Sequence, residues 1–143
     1  MQVKQVMTEG AKFIDPNTSI KDAALQMKEM DVGALPVGEN DRLVGMITDR
    51  DIAIRSDAEG HDPNSTTVSG VMTKEIVYIF DDQDITEAAN LMKSRKIRRL
   101  VVLNRDKRLS GMLSLGDLAV DADDERICGE TLKEVSKPAQ PRK

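Results

Sequence analysis

The sequence is poor in aromatic and thiol chemistry: no tryptophan, one tyrosine, two phenylalanines and one cysteine in 143 residues. With only Phe13, Tyr78 and Phe80 to offer, it lacks the usual equipment for stacking the bases of single-stranded nucleic acid. Cys128 alone makes no internal disulfide, which agrees with a reducing compartment. The one histidine, His61, sits in a Gly-His-Asp-Pro stretch that reads as a solvated loop. A Cys/His dyad and a metal site therefore both lack partners, and no metal is expected. No glycine loop precedes a Lys-Ser/Thr pair, so nucleotide hydrolysis is not suggested. Positive charge is also in deficit: 21 Lys and Arg face 25 Asp and Glu, for a net charge of −4. That balance argues against a general nucleic-acid or acidic-membrane binder. No apolar run approaches the ~20 residues of a membrane span, and the N-terminus lacks the apolar core of a signal peptide. A soluble, cytoplasmic protein without a catalytic constellation is the expectation.

What is present is repetition. Val6-Met7-Thr8 recurs as Val71-Met72-Thr73, 65 residues on, and the same offset carries Ala23-Ala24 onto Ala88-Ala89 and Met27-Lys28 onto Met92-Lys93. Farther along, Gly45-Met46-Ile47-Thr48-Asp49-Arg50-Asp51 matches Gly111-Met112-Leu113-Ser114-Leu115-Gly116-Asp117 at an offset of 66, one residue having been inserted near Arg105. Two copies are too few for a solenoid, which needs at least ~3 units, so a pseudo-symmetric pair is the better reading. With 39% hydrophobic residues, the chain has room for one ordinary domain or two half-size units sharing a core. Clefts along the interface of such a pair are where ligands tend to sit.

Each copy reads as strand, helix, strand, strand, helix. In the first, Lys12-Phe13-Ile14 is a strand candidate, and Asp15 to Ser19 supplies turn and capping residues before a 3.6-residue apolar pattern over Ile20, Ala23, Ala24, Met27 and Met30. Two strands, Ala34 to Val37 and Leu43 to Ile47, flank a polar loop from Gly38 to Arg42, and a second helix runs from Thr48 toward Ser56. The second copy repeats this with strands Ile76 to Phe80, Arg99 to Leu103 and Leu109 to Leu113, and with helices from Ile85 to Ser94 and from Ser114. Boundaries follow: repeat one over 1–60, a linker over 61–67, repeat two over 68–125 and a charged tail over 126–143. Within the tail a short helix is expected around Thr131 to Val135, and Ser136 to Lys143 is expected to be mobile.

The phrase that carries function is an apolar strand ending in Thr48-x-x-Asp51 and again in Ser114-x-x-Asp117. One reading is a helix cap, since Ser or Thr with an acidic residue three positions later resembles a capping box, although the usual partner is Glu or Gln. The other is a nucleotide site. Free N–H groups and a partial charge of about +0.5 at a helix start attract phosphate. Aspartate, short for reaching back to the cap, is well suited to accept two hydrogen bonds from a ribose diol. Both readings can hold for one helix, and only the second explains the pairing of the sites.

These motifs, in this order, resemble a stand-alone tandem of cystathionine-β-synthase (CBS) domains, the two-repeat unit called a Bateman module. The resemblance covers roughly Val3 to Asp121. It implies an α/β (α+β) fold of two pseudo-symmetric βαββα repeats packed through their short sheets, and a homodimer. It also implies an adenine-containing ligand: AMP, ADP or ATP, with S-adenosylmethionine or NAD as further possibilities, and no obligatory cofactor. Carried over, Asp51 and Asp117 would hold ribose, Thr48 and Ser114 would contact ribose or phosphate, and Met46 and Met112 would line the clefts. Val77 and Ile97 would sandwich adenine in the Asp51 cleft, with the Lys12 backbone and Val32 doing so in the Asp117 cleft. Arg98, where the family places a phosphate cation, corresponds to Gly33 in copy one, and Arg50 corresponds to Gly116 in copy two. The Asp51 cleft is therefore expected to favour phosphate more strongly, with charge-assisted bonds contributing about 1.5–3 kcal/mol each when sheltered. The function implied is a sensor that binds nucleotide and changes its contact with itself or with an unidentified protein partner. The alternative is an interaction scaffold whose clefts are filled by side chains and whose dimer surface is the functional part.

Overall fold

Local signals place the first helix. Ser19 is extended and its hydroxyl accepts the Asp22 N–H at 3.1 Å, and Asp31 ends the helix in the left-handed conformation, so α1 spans Ile20–Met30. The computed structural model describes residues 1–138. Only Ile20, Ala23 and Met27 of α1 are buried. Ala24 and Met30, expected in the same stripe, are exposed. The face that meets the core is thus limited to positions i, i+3 and i+7.

The chain forms two units, one over Ala11–Ile76 (unit I) and one made of Met1–Gly10 with the chain from Val77 onward (unit II). In unit I, β1 (Ala34–Glu39) pairs antiparallel with β2 (Arg42–Thr48), Ala34 opposite Thr48 and Leu35 opposite Ile47. The turn is tighter than the expected five-residue loop. Asn40 and Asp41 both take positive φ, 53° and 60°, the mirror-type turn whose twist suits two strands. Lys12 to Ile14 does not form a strand: Ile14 alone bridges to Val37, and the Asp15 turn follows at once. After β2 the chain enters a π-helical segment, Asp51–Asp57, in place of the α-helix expected there. The stretch from Pro63 to Val68 is held by backbone bonds, Ile20 N–H to Thr66 O at 2.9 Å and Val68 N–H to Thr18 O at 2.8 Å. The short helix α2 (Val68–Val71) then adds Val68, Val71 and Met72 to a core built on Ile14, Ile20, Leu35, Val37 and Ile47.

Unit II has a three-stranded sheet in the order β3 (Tyr78–Phe80), β4 (Arg99–Leu103), β5 (Leu109–Ser114), parallel between β3 and β4 and antiparallel between β4 and β5. β3 starts two residues later than the apolar pattern suggested, Ile76 being largely exposed. Helix α3 (Ile85–Arg95) begins with a full capping box between Asp84 and Glu87, and α4 (Leu115–Asp121) follows β5. Helix α5 (Glu125–Ser136) is far longer than the expected Thr131 to Val135 turn. It packs on α3 and α4, with Ile127, Cys128 and Val135 against the core. Of the tail expected to be mobile, Ser136 ends α5, and 139–143 lie outside the described residues. Among the described residues no helix is long and apolar enough to cross a membrane.

The two Val-Met-Thr segments serve the opposite copy's sheet. Thr8 and Met112 exchange backbone bonds at 2.8 and 3.0 Å in unit II, and Thr73 and Met46 do the same at 2.8 and 3.0 Å in unit I. Each compact unit thus consists of one repeat's sheet and helices completed by the segment that opens the other repeat.

Candidate functional site

Both strand-to-helix junctions carry the same construction. In unit I the Asp51 N–H donates to Thr48 Oγ1 at 3.1 Å, and the Thr48 N–H donates to Asp51 Oδ2 at 3.0 Å. In unit II the Asp117 N–H donates to Ser114 Oγ and the Ser114 N–H to Asp117 Oδ2, each at 2.9 Å. These are reciprocal caps with aspartate where glutamate is usual. The idea that aspartate is too short to reach the cap N–H is therefore corrected. Two of the N–H groups that a phosphate would seek at each junction are already partnered. What is left for a ligand lies mainly on the side chains.

The remaining carboxylate oxygen differs between the units. Asp51 is 8% exposed, and its Oδ1 lies 3.9 Å from Arg55 Nη1, which itself donates to the Met72 carbonyl at 3.2 Å. Asp117 is half-buried, and the Thr8 hydroxyl lies 3.2 and 3.3 Å from its two oxygens. Neither Thr8 nor Arg55 stood among the expected site residues. The signal for Thr8 was the repeated Val-Met-Thr phrase itself. Arg55 left no trace in the repeat, because the matching residue is Asp121.

The other expected residues divide between the units. Unit I holds half-buried Met46 and Thr48 with exposed Arg50, Lys12 and Val32, and the Gly33 carbonyl accepts the Asp49 N–H at 2.9 Å. Unit II holds half-buried Met112 and Ser114, with Val77 and Ile97 packed against its core. Arg98 is exposed; its carbonyl accepts the Leu115 N–H at 2.8 Å and its Nη2 reaches Ser136 Oγ at 3.4 Å. Among the described residues no group of three or more His, Cys, Asp or Glu is placed to hold a metal ion.

Two α+β units, each ending a hairpin in a hydroxyl–aspartate cap and each closed by a Val-Met-Thr segment, define a tandem module of the Bateman type. The chain belongs to the CBS domain family, whose model matches residues 3–56 and 68–121. It is 41% identical over 134 residues to the CBS domain-containing protein YhcV of Bacillus subtilis, covering 94% of each chain. The crystal structure of Hypoxic Response Protein I, which has two coordinated zinc ions, superposes with a TM-score of 0.72 at 36% identity, over 83% of this chain and 97% of that one. Pyrobaculum aerophilum PAE2072, a CBS domain protein complexed with AMP, has a TM-score of 0.78 over 93% of this chain and 99% of its own. At 21% identity that last likeness extends to the fold alone. Stand-alone proteins of this family are commonly regulatory and not catalytic.

Proposed function

We propose that this chain is a regulatory module that binds an adenine nucleotide, AMP, ADP or ATP, and signals by a ligand-dependent change of conformation or of oligomeric state, a homodimer being the first candidate. The observation that carries the reading is the duplicated hydroxyl–aspartate pair, each with one carboxylate oxygen that takes no part in the cap: Asp51 Oδ1, 3.9 Å from Arg55 Nη1, and Asp117 Oδ1, 3.2 Å from the Thr8 hydroxyl. In this reading Thr48 and Ser114 orient the aspartates, Met46 and Met112 flank the sugar, and Arg50 and Arg98 supply the cations for phosphate. Val77, Ile97, Val32 and the backbone at Lys12 provide apolar and backbone surface for adenine. That the fold accommodates AMP in PAE2072 supports the ligand class. Coupling needs different affinities for two conformations, since equal affinity shifts no equilibrium.

The test is titration calorimetry of ligand-free, folded protein with AMP, ADP, ATP, adenosine, S-adenosylmethionine and NAD. Asp51→Ala should weaken AMP binding about 10- to 100-fold, the scale of a lost hydrogen bond to a charged group. Arg98→Ala should weaken AMP and spare adenosine. Saturable binding that neither Asp51→Ala nor Asp117→Ala reduces would overturn the site. A specific observation favours a second reading, that of a scaffold without ligand: both aspartates already complete a cap, and Thr8 covers Asp117. Absence of binding by all six compounds would select it.

A further inference from the structure

The two copies treat the aspartates of their caps differently, and the repeat makes each the control for the other. In unit II the Thr8 hydroxyl lies 3.2 and 3.3 Å from the two oxygens of Asp117, a contact that this half-buried carboxylate receives in addition to the Ser114 N–H. The equivalent hydroxyl of unit I belongs to Thr73, whose backbone pairs with Met46 just as that of Thr8 pairs with Met112. Among the described residues, however, the Thr73 hydroxyl makes no bond to Asp51, and Thr73 is exposed. Arg55 Nη1 stands there instead, 3.9 Å from Asp51 Oδ1 and beyond hydrogen-bond distance, while donating to the Met72 carbonyl at 3.2 Å. The difference has a source in the sequence. The offset of 66 maps Arg55 onto Asp121, so the cation that faces the cap aspartate of unit I is replaced by a carboxylate in unit II.

These arrangements offer a ligand hydroxyl unequal gains. Asp51 is largely withdrawn from water, and its Oδ1 has a balancing charge nearby but no hydrogen bond. A donor arriving at that oxygen makes a bond that the folded chain lacks, to a charged and sheltered acceptor, which is the strong case for a hydrogen bond. At Asp117 the same donor has to displace the Thr8 hydroxyl, so one hydroxyl is exchanged for another with little net gain. We propose that the two sites are built for unequal occupancy: the nucleotide enters at Asp51, whereas the Thr8 hydroxyl stands in for a ligand hydroxyl at Asp117 and keeps that site closed. Thr8 is then the residue that sets the number of ligands, one per chain and not two. The inference rests on the reading of Asp51 and Asp117 as ribose-holding groups.

AMP is the first probe, with ADP and ATP titrated alongside, and calorimetric stoichiometry on the full chain is the readout. The native chain should take one nucleotide. Asp117→Ala should leave its stoichiometry unchanged and its affinity within about twofold, whereas Asp51→Ala should weaken binding about 10- to 100-fold. Thr8→Ala should raise the stoichiometry to two, with the added site within about tenfold of the first in Kd, and the Thr8→Ala, Asp117→Ala double variant should return it to one. Thr8→Ser, which keeps the hydroxyl, should stay at one, and so should Thr73→Ala, which removes no bond to Asp51. A cooperative urea transition with unchanged m-value verifies the folding of each variant, and the Asp117→Ala titration locates the occupied site independently of any change at Thr8. Two nucleotides per native chain with one lost in Asp117→Ala overturn the proposal while leaving the nucleotide-binding reading intact. So does loss of a single site in Asp117→Ala, or a stoichiometry of one in folded Thr8→Ala. Absence of binding by AMP, ADP and ATP alike, in the native chain and in Thr8→Ala, overturns that reading and the proposal with it.

Discussion

Gly45 and Gly111 show why the strand before each cap reads Gly-Met. A Cβ at Gly111 would come within 2.5 Å of the Thr8 carbonyl and 3.0 Å of Met7 Sδ, and at Gly45 within 2.8 Å of the Thr73 carbonyl and 2.9 Å of Met72 Sδ. The close approach of the Val-Met-Thr segment requires a residue without a side chain, and it is this segment that brings Thr8 onto Asp117. Gly111→Ala should therefore cost about 1–3 kcal/mol, the range for inserting a methyl into a packed site that must shift backbone. Gly129 is the control. It lies inside α5 with open space at its Cβ position, so Gly129→Ala should stabilise by about 0.5–1 kcal/mol. Urea denaturation at constant m-value measures both. Equal shifts of the same sign would refute the argument from close approach.

At the scale of elements, legibility followed local chemistry. Helix α1 was readable because the capping residues up to Ser19 and a 3.6-residue apolar pattern agree, and α3 because the repeat carries that pattern onto it. β4 was readable to the residue, since Arg99 to Leu103 is an apolar run bounded by charge. The π-helical character of Asp51–Asp57 was not, because its apolar spacing matches an α-helix as well. α5 was underestimated for another reason: its first half, Glu125 to Glu130, is dominated by charge and glycine, and only docking on α3 and α4 reveals a buried stripe through Thr131. Of the candidate site, the residue pairs were readable and their hydrogen bonds were not, since nothing in a one-letter pattern says whether an aspartate turns to its own backbone or to a ligand. Docking of α5 has a chemical reporter. Burial first, then the nearby Asp124 and Glu125 carboxylates, pushes the Cys128 thiol above its usual value near 9.0, so folding disfavours the thiolate. The stability linked to the protonated thiol is present below the unfolded value and is lost as pH rises through the folded one. At pH 8 alkylation of Cys128 should be slower than in the urea-unfolded chain, and Thr131→Glu, which puts a charge at a fully buried position, should restore the fast rate. Equal rates for the folded native chain and Thr131→Glu would mean that α5 does not shield the thiol.

At the scale of the whole molecule, the repeat that the sequence displays and the unit that folds are offset. The family matches begin at 3 and 68, yet Val3 and Val6 are buried in the core of unit II, while Val68 and Val71 are buried in that of unit I. The exchange follows from backbone pairing: Met112 takes both of its extra bonds from Thr8, and Met46 both of its own from Thr73. Residues that open one copy therefore pair with the strand that precedes the cap of the other, and a substitution's consequences should appear far from it in sequence. Val6→Ala removes two methyl groups from a site only 3% exposed and should cost about 2–3 kcal/mol by lost burial and a residual cavity. Hydrogen exchange locates the loss. Protection should fall at Gly111 and Met112 in β5 and along α3, whereas the equivalent Val71→Ala should lower it at Gly45 and Met46 in β2 and along α1. If Val6→Ala instead loosened α1 and the β1–β2 hairpin while leaving β5 protected, each opening segment would belong to its own repeat, and Thr8 would have no structural reason to reach Asp117.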